Sequence, residues 1–518
     1  MTRDPKAIGE GLASARTARP IIAGERIHVV GIAGAGASAA ALLAHHAGAI
    51  VTGCDAGGPS PYTPALEAVE VPMSWAHDPG HVTASPRPAR LAVTKALTAV
   101  DPDHPELRAA RTAGIPLEPW QQLVADAAAG RTLVAVAGTH GKSTTAGWLV
   151  HVLVEARQDP AAFVGALLPS SLTGGPPATA RAGLGAPFVV EADEYAGNFD
   201  VFRPDLVVLT NAEWDHPDVF ADRDAVLDAF GGWLRGISDG ATVIVNAGDE
   251  GTVTILERLL PDRPVAVVVY ALTDVDPQRG GFLRGLAERF GSDGRPATPL
   301  LGRVVAADPG GTTLELHGLD SLSGPVRVRL RTAGRHNAAN ALAVAGAALA
   351  LGVAPTAIVS GLEHFDGVGR RLERKGEAGG VVVYDDYGHH PTAIRETIAA
   401  VRQREPGRRV WAVYEPLTYH RTAALLPDFA EALATADAVA VADIWAGRDP
   451  DTAVASAAGL ADAVKGLRTG LTVAAPGSVD ATADWLAGEV RAGDAVLVMG
   501  GGQSYRIGER LLERLEGR

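Results

Sequence analysis

The sequence is short of cysteine and of positive charge, and each shortage excludes a class of protein. Its 518 residues include one cysteine, Cys54, which excludes an internal disulfide framework and any multi-cysteine zinc site. The net charge of -14 argues against a general nucleic-acid or anionic-membrane binder, because such proteins need a cationic face. A single cysteine fits the reducing environment of the cytoplasm.

Long apolar segments are also missing. The first twenty residues carry charges but lack the apolar core of about 7 to 15 residues that a signal peptide needs. The longest apolar run, residues 341–354, is shorter than the roughly 20 residues that cross a bilayer, and it predicts a buried helix. We therefore expect a cytoplasmic protein that binds neither membranes nor nucleic acid. Its length and its 47% apolar residues predict about three globular domains.

The first block of sequence has the pattern of a nucleotide-binding α/β unit. Residues 26–36, RIHVVGIAGAG, predict a strand that runs into a glycine turn, and an Ala/Leu-rich helix and a second strand, AIVTGCD, follow. Asp55 closes that second strand about 20 residues after the glycines, which is the spacing in sequence at which an acidic residue binds a ribose hydroxyl. The glycines fall at 31, 34 and 36, which departs from Gly-x-Gly-x-x-Gly, and a purely structural turn would give the same pattern.

The second block opens with AVAGTHGKSTTA, residues 135–146, which predicts a phosphate-binding loop between a strand and a helix. The loop reads Gly138-x-x-Gly141-Lys142-Ser143 and is two residues shorter than the general P-loop, because Val136 stands where that motif has glycine. Backbone amides at the positive end of a helix stabilise a phosphate, Lys142 adds a mobile charge, and the Ser143 hydroxyl can bind Mg²⁺. Passive binding of a mononucleotide remains an alternative.

Two later strands of this block end in groups that bind metal and phosphate. Glu191-Ala-Asp193-Glu194 follows FVV, and Asn211 to Asp215-His216 follows LVVLT. Strand ends beside a P-loop lie at one edge of a parallel sheet, so these groups predict a metal and phosphate site there. Between residues 271 and 330 the pattern changes to short alternating strands, with a surface loop expected at 277–299.

The third block contains the strands VVVYDDY, RVWAVYEP and AVLVMGGG with helical stretches between them. The fold class that follows is α/β in three domains. We predict a Rossmann-like nucleotide-binding domain at 1–130, a central P-loop ATPase-type domain with a parallel sheet at 131–364, and a Rossmann-like C-terminal domain at 365–518.

The set of motifs resembles the Mur ligase superfamily over nearly the whole chain. The shortened loop GTHGKST looks like the ATP loop of that family. The resemblance continues in VEADE, TNAEWDH, GRHNAANA, Arg370-Arg371, DDYGHHPT and GDAVLVMGGG, in the same order and spacing. Within the superfamily, GIAGAG, EADE, DDYGHHP and EPLTYHRT are most similar to the branch that adds L-alanine to UDP-N-acetylmuramate.

The resemblance implies an ATP- and Mg²⁺-dependent ligase, a monomer or homodimer, that acts on UDP-N-acetylmuramate and an amino acid through an acyl phosphate. It implies catalytic roles for Lys142, Glu191 and His216, and metal ligation by Ser143, Glu191 and His216. The implied ATP-binding residues are Gly138, Thr139, His140, Gly141, Lys142, Ser143, Thr144, His336, Asn337, Asn340, Arg371 and Asp386. The implied UDP-sugar-binding residues are Gly31, Gly34, Gly36, Ser38, Asp55, His77 and Thr94. The implied amino-acid-binding residues are Tyr387, His389 and Arg421. Because Arg371 and Asp386 lie in the third domain, catalysis is expected to require domain closure.

The sequence departs from the alanine-adding branch at two places. Its first loop has Ala33, Ala35, Ala37 and Ala39 among the glycines, and Glu415-Pro416-Leu417 replaces the common Gln-Pro-His. A ligase that joins the same sugar nucleotide to a ready-made tripeptide is therefore an alternative, favoured by Glu415-Pro416 and EADEY. A non-catalytic nucleotide sensor would have lost the metal ligands, and a NAD-dependent oxidoreductase would not need Gly-Lys-Ser.

Overall fold

The computed structural model describes residues 8–259, 265–273, 285, 299–319, 324–447, 449 and 451–517. Its strands form three separate sheets, one within each of the three predicted domain ranges. The α/β fold in three domains is therefore confirmed, and the exact boundaries stay a prediction. All but residues 285 and 299 of the loop expected at 277–299 lie outside the described residues. Within the described part of the chain, no helix is both long and apolar enough to cross a membrane.

The N-terminal domain is a five-stranded parallel sheet in the order β3-β2-β1-β4-β5. Its strands are β1 (Arg26–Val30), β2 (Ile50–Cys54), β3 (Met73–Ser74), β4 (Arg90–Val93) and β5 (Leu117–Pro119). Its helices are α1 (Ala35–His46), α2 (Pro64–Ala68), α3 (Gly80–Thr83), α4 (Lys95–Val100), α5 (Pro105–Ala113) and α6 (Trp120–Ala127). The order changes direction between β1 and β4, and ligands bind at such a switch point, beyond the strand ends.

The central domain has a ten-stranded sheet in the order β15-β14-β13-β12-β11-β10-β6-β9-β7-β8, parallel from β13 to β7 and antiparallel at both edges. Its strands are β6 (Thr132–Ala137), β7 (Ala161–Leu168), β8 (Ala178–Arg181), β9 (Pro187–Ala192), β10 (Leu206–Leu209), β11 (Thr242–Asn246), β12 (Ala266–Leu272), β13 (Leu300–Asp308), β14 (Gly311–His317) and β15 (Val326–Leu330). Its helices are α7 (Lys142–Glu155), α8 (Ser170–Thr173), a 3₁₀ helix (Tyr195–Val201), α9 (Arg223–Leu234), α10 (Glu250–Leu259), α11 (Arg335–Ala350) and α12 (Pro355–Glu363).

Both faces of the central sheet are covered, which is why its strands have continuous apolar sequences. Alternate residues of β6 enter two different cores: Val134 and Val136 pack on the side of α7 and α11, and Ala135 and Ala137 pack on the other side. The apolar run predicted as a buried helix is confirmed through Ala350, where α11 ends. Its last four residues form the turn that follows.

The C-terminal domain has a six-stranded sheet in the order β16-β17-β21-β18-β19-β20, in which only β16 is antiparallel. Its strands are β16 (Glu373–Ala378), β17 (Val381–Asp386), β18 (Arg409–Tyr414), β19 (Ala438–Ala442), β20 (Thr472–Gly477) and β21 (Asp494–Met499). Its helices are α13 (Pro391–Arg404), α14 (Tyr419–Ala424), α15 (Leu426–Leu433), α16 (Ala457–Leu467), α17 (Val479–Glu489) and α18 (Tyr505–Glu516). Asp386 is the last residue of β17, and Glu415 directly follows β18, so both lie at the carboxyl ends of central strands.

Candidate active site

A cavity of about 1440 Å³ lies where the three domains meet. Gly31 and Asp55 line it from the N-terminal domain, Lys142 from the central domain, and Arg371 and Asp386 from the C-terminal domain. These residues belong to three domains with separate sheets, so the cavity depends on how the domains are placed against one another. A site of this kind binds several substrates side by side.

The phosphate loop has the conformation that its glycines allow. Gly138 has φ 141° and Gly141 has φ 81°, a region in which residues with a β-carbon are strained. A β-carbon at position 138 would lie 2.1 Å from the Thr210 hydroxyl oxygen, so the loop packs directly against the end of β10. The predicted strand, glycine loop and helix are β6, residues 138–141 and α7, and the first helical residue is Lys142.

Lys142 is held inside the loop by neighbours of opposite charge. Its Nζ donates hydrogen bonds to the carbonyl oxygen of Gly138 at 2.6 Å and to Glu194 Oε2 at 3.1 Å, and Asp193 Oδ1 lies 3.7 Å away. Burial lowers the pKa of Lys142, but the carboxylates of Glu194, Asp193 and Glu191 outweigh burial and raise it above the ordinary value. The ammonium group therefore stays charged, as binding to phosphate oxygens requires.

Ser143 and Glu191 form a pair at the start of α7. The Ser143 hydroxyl donates to Glu191 Oε1 at 3.0 Å, and Glu191 Oε2 accepts the backbone N–H of Gly165 at 2.6 Å. Arg371 reaches the same hydroxyl from the C-terminal domain, with Nη2 to Oγ at 2.8 Å. The serine oxygen thus already attracts a cationic group, and a hydroxyl and a carboxylate are oxygen ligands that suit Mg²⁺.

His216 lies close to two carboxylates, Glu194 and Asp215, that the predicted metal-binding set did not include. Its Nε2 is 3.9 Å from Glu194 Oε1 and 3.7 Å from Asp215 Oδ2. Asp193, Glu194 and His216 offer ligand atoms within 4.8 Å of one another, a separation that suits a metal ion. The predicted set of Ser143, Glu191 and His216 stays a prediction, and Asp193 and Glu194 are additional donors. The motif EADE contained both, but the sequence could not show which of its acids face Lys142.

The residues predicted beside adenine lie at the start of α11. Asn340 faces Gly141, since a β-carbon there would be 3.1 Å from Asn340 Oδ1, and Asn340 Nδ2 donates to Asn337 Oδ1 at 3.3 Å. His336 Nδ1 lies 3.5 Å from Glu396 Oε2 of α13. Together with the phosphate loop, these side chains form one wall of the cavity.

Glu213 links the central and C-terminal domains and was missed by the sequence analysis. It accepts hydrogen bonds from His140 Nε2 at 2.7 Å and from the Thr392 hydroxyl at 2.7 Å, and His390 Nδ1 lies 3.6 Å away. Burial raises the pKa of Glu213, but the hydrogen bond and charge of His140 outweigh it and lower the pKa to about 2. The sequence feature that could have pointed to Glu213 is its position within the TNAEWDH motif.

The predicted amino-acid-binding residues lie together, but Arg421 already has a partner. Its Nη2 donates to Asp215 Oδ2 of the central domain at 2.5 Å, with both side chains buried. His389 donates through Nδ1 to the carbonyl oxygen of Tyr387 at 2.8 Å, and burial together with Arg421 holds its pKa well below the usual value. Tyr387 packs against the guanidinium of Arg371, with 4.8 Å from Cζ to the ring centre.

Asp386, predicted to reach the nucleotide, is engaged with the backbone. Its two oxygens accept the N–H groups of Leu372 at 2.7 Å and Gly388 at 2.6 Å. It therefore fixes the segment that carries Arg371 as well as the turn before His389. The neighbouring Arg370 also donates, to Asp385 Oδ2 at 3.0 Å and to the Ser504 hydroxyl at 2.9 Å.

The predicted UDP-sugar-binding residues fall into two groups, those that line the cavity and those that do not. Gly31, Gly36, Asp55, His77 and Thr94 line the cavity. Asp55 Oδ2 accepts the N–H of Ala33 at 3.1 Å and so shapes the glycine turn. Ser38 is buried and donates to the carbonyl oxygen of Ala35 at 3.0 Å, and Gly34 donates its N–H to the carbonyl oxygen of Gly31. Neither Ser38 nor Gly34 is among the cavity-lining residues, so the structure places them as supports of the loop.

Three family models match successive parts of the chain. Residues 26–132 match the model described as Mur ligase family, catalytic domain, residues 136–348 match the Mur ligase middle domain, and residues 370–502 match the Mur ligase, glutamate ligase domain. The matched ranges follow the three sheets.

Relatives of known name are similar over almost the full length. A UDP-N-acetylmuramate–L-alanine ligase of Frankia casuarinae is 36% identical and covers 95% of this chain and 98% of its own. The enzyme of that name from Kineococcus radiotolerans is 37% identical, covering 95% and 96%. Among solved structures, UDP-N-acetylmuramate-alanine ligase of Thermotoga maritima has a TM-score of 0.73 at 24% identity, covering 95% and 99%. A murein peptide ligase of Psychrobacter arcticus has a TM-score of 0.69 at 25% identity, covering 96% and 99%.

Proposed function

Because this chain belongs to the Mur ligase family, we propose that it joins UDP-N-acetylmuramate to L-alanine at the expense of ATP, in the synthesis of peptidoglycan. The observation that carries the proposal is the meeting of Lys142, Ser143 and Glu191 with Arg371 of the C-terminal domain. This arrangement puts two cationic groups, Lys142 and Arg371, and two metal-binding groups, Ser143 and Glu191, around the start of α7. ATP and a UDP-sugar are cytoplasmic metabolites, so the enzyme would act in the cytoplasm.

The chemistry requires an activated carboxyl group, because a carboxylate is a poor acylating agent. In the proposed reaction the sugar-linked carboxylate attacks the γ-phosphorus of ATP, ADP leaves, and an acyl phosphate remains. The amine then attacks the acyl carbon, the C–O bond to phosphate breaks, and one proton is lost from nitrogen. Phosphoryl transfer depends mainly on positioning and on neutralising charge, so cationic groups contribute most of the catalysis.

Each group of the site has a role in that reaction. The backbone amides at 138–143 and the Lys142 ammonium would hold the outer phosphates of ATP. Ser143 and Glu191 fit Mg²⁺, since the Ser143 hydroxyl already contacts a guanidinium and the Glu191 carboxylate lies beside it, and Asp193, Glu194 and His216 offer a second set of donors. The metal would supply neutralisation of the negative charge that develops on the transferring group. Asn340 and His336 would border the adenine.

The amine substrate would lie between Tyr387, His389 and Arg421. The Nδ1–H of His389 is engaged with a carbonyl oxygen, which leaves Nε2 of a neutral imidazole free to accept the proton of an incoming ammonium group. Arg421 would help to orient the carboxylate of the amino acid. A tripeptide is the second candidate, because Leu417 and Trp445 line this part of the cavity and Trp445 is exposed, which leaves apolar surface for a larger substrate.

The experiment is a phosphate-release assay with ATP, Mg²⁺ and UDP-N-acetylmuramate over a panel of amino acids and peptides. The proposal expects release that depends on the sugar nucleotide and is greatest with L-alanine. Release with L-Ala-γ-D-Glu-meso-diaminopimelate in place of L-alanine would assign the enzyme to the tripeptide reaction. The absence of release with every amine would contradict a ligase altogether.

The role of Lys142 is tested in the same assay. Lys142→Ala removes the ammonium from the phosphate loop, and we expect kcat to fall by about 10²- to 10³-fold or more. Lys465→Ala is the matched control, because that lysine is half exposed on α16 and pairs with Asp462 on the surface. Circular dichroism of both variants checks the fold. Substantial residual activity in a folded Lys142→Ala protein would contradict the assigned role.

A further inference from the structure

A second cluster of metal-binding side chains lies in the N-terminal domain, outside the phosphate site. His28, Cys54, His81 and Glu106 offer one ligand atom each, and these four atoms all lie within 4.8 Å of one another. We propose that these four residues bind a single Zn²⁺ ion, which would join β1 and β2 to the two helices that cover them.

The fold brings the four residues to one face of the sheet. In the parallel register His28 of β1 pairs with Thr52 and Val30 pairs with Cys54, so His28 and Cys54 point to the same side. That side is covered by α3, which carries His81, and by α5, which carries Glu106 in its first turn. Residues separated by up to 78 positions in sequence thus meet because the strand and helix faces are fixed by the apolar core around them.

The distances from Glu106 to the other three residues are close to those between the ligands of a tetrahedral zinc site. Glu106 lies 3.1 Å from Cys54 Sγ, 2.9 Å from His81 Nδ1 and 3.3 Å from His28 Nε2. Bonds of roughly 2.0 to 2.3 Å to Zn²⁺ place neighbouring ligand atoms about 3.3 to 3.7 Å apart. Shifts of only a few tenths of an ångström in these pairs would therefore accommodate the ion.

One nitrogen in the cluster points independently to a ligand. His28 is 2% exposed, and its Nε2 makes no hydrogen bond of good geometry although it faces the Glu106 carboxylate. The other ring nitrogen, Nδ1, lies 2.8 Å from the Thr52 hydroxyl, which orients the ring and sets which nitrogen is left for a metal. The contact of Nε2 with Glu106 Oε2 is at ion-pair distance without good hydrogen-bond geometry, and a buried polar atom that lacks a good hydrogen bond is costly.

The donor set selects zinc over magnesium. Two imidazoles and one thiolate are the ligands of Zn²⁺, whereas Mg²⁺ takes oxygen ligands and keeps several waters. Binding would release the Cys54 thiol proton to solvent, and the thiolate and the Glu106 carboxylate would balance the two positive charges of the ion. Glu106 is fully buried, and its ion pairs within the described part of the chain are all with histidines.

A metal ion at this position would affect the structure of the sugar-nucleotide end of the cavity. The Cys54 carbonyl oxygen accepts the N–H groups of Gly31 at 2.8 Å and Ile32 at 3.1 Å, and Asp55 is the next residue. His77, which lines the cavity, contacts Cys54 Sγ through Nδ1 at 3.2 Å. An ion at Cys54 would therefore fix the glycine turn without contacting the phosphate site.

The test uses the full-length protein, stripped of metal with a chelator and titrated with Zn²⁺ and, separately, with Co²⁺. Because Cys54 is the only cysteine, a thiolate-to-Co²⁺ charge-transfer band reports on this site alone. We expect one equivalent of either ion to bind at this site and the band to develop with Co²⁺. Stoichiometric binding without the band, or no binding at all, would overturn the proposal.

Variants separate this site from the phosphate site. His81 is only partly buried, so His81→Asn should fold, and we expect it to lose Zn²⁺ binding and the Co²⁺ charge-transfer band. Thr52→Val removes the partner of His28 Nδ1 and should weaken Zn²⁺ binding by about 10- to 100-fold. His46→Asn, on the exposed end of α1, is the control and should bind as the unmodified chain does. Zinc binding that persists in His81→Asn and Cys54→Ser would contradict the assignment.

Discussion

Arg421 of the C-terminal domain donates a 2.5 Å hydrogen bond to Asp215 of the central domain, and both side chains are almost fully buried. Burial raises the pKa of Asp215, but the charge of Arg421 outweighs it and holds the pKa far below the ordinary value. The carboxylate is thus charged at every pH at which the protein would work. A buried pair between two domains stabilises the closed arrangement as long as both charges are present.

Removing one partner should open the molecule. Arg421→Met leaves a buried carboxylate without its partner, a change that costs about 3 to 5 kcal/mol inside a protein. Between domains that cost is relieved by separation, so we expect a larger radius of gyration in solution scattering and faster proteolysis between the domains.

Arg402→Met is the control for this experiment, because it breaks an exposed pair with Asp437 that lies within the C-terminal domain. It should leave the scattering unchanged. Scattering from Arg421→Met that matches the unmodified chain would show that the pair does not hold the domains together.

Arg371 offers a test of how the C-terminal domain takes part in catalysis. Its guanidinium contacts the Ser143 hydroxyl across the cavity, so Arg371→Ala should lower kcat by about 10²- to 10³-fold with a smaller change in KM for the sugar nucleotide. Arg374→Ala is the control, because that side chain is half exposed and pairs with Glu377 on the surface. Equal activities of the two variants in the phosphate-release assay would exclude a role for Arg371.

The sequence predicted those parts of the structure that depend on local pattern. The expected strands are present: two lead into Gly31 and Gly138, and a third contains Glu191 near its end. The expected helix that begins at Lys142 is present too. Apolar runs, glycines with positive φ and helix starts are encoded over a few residues, so a local pattern is enough to predict them. The family resemblance added the expected roles of the side chains at the strand ends.

What the sequence could not give are partners between distant segments. That Arg421 faces Asp215, 206 positions away, and that Glu213 accepts from His140 and Thr392 depend on how two domains are placed, which no local pattern encodes. The cluster around Glu106 was missed for the same reason. Its four ligands lie on two strands and two helices with no short motif among them.

Gly36 shows how packing can imitate a binding motif. A β-carbon at this position would lie 2.2 Å from the ring of Trp120, so the glycine is required by the contact between α1 and α6 whether or not it also touches a nucleotide. We expect Gly36→Ala to lower the free energy of unfolding by about 1 to 3 kcal/mol, measured by urea denaturation.

The control is Gly466→Ala on α16, where a β-carbon would meet nothing within 4 Å. Alanine is favoured over glycine in a helix by up to about 1 kcal/mol, so this variant should be unchanged or more stable. If Gly36→Ala is as stable as the unmodified chain but binds the sugar nucleotide poorly, the glycine serves the ligand and not the packing.

Glu213 makes the contact between the central and C-terminal domains sensitive to acid. Its pKa is about 2 in the folded protein, against an ordinary value of 4.5, mainly through its hydrogen bond with His140. A carboxyl whose pKa is lowered by folding adds stability above its ordinary pKa and loses that contribution as the pH falls toward its folded value. The contribution should therefore be complete near neutral pH and decline between about pH 4.5 and about pH 2.

Glu213→Gln removes the titrating group and keeps one acceptor oxygen, for either His140 or Thr392. In urea denaturation at about pH 5 and about pH 3, the unmodified chain should lose more stability between the two values than the variant does. Glu250→Gln is the control, because that side chain is exposed and should leave the acid dependence unaltered. The same loss in all three proteins would mean that other carboxylates, such as the strongly shifted Asp215, account for the acid sensitivity and that the contact through Glu213 contributes little to it.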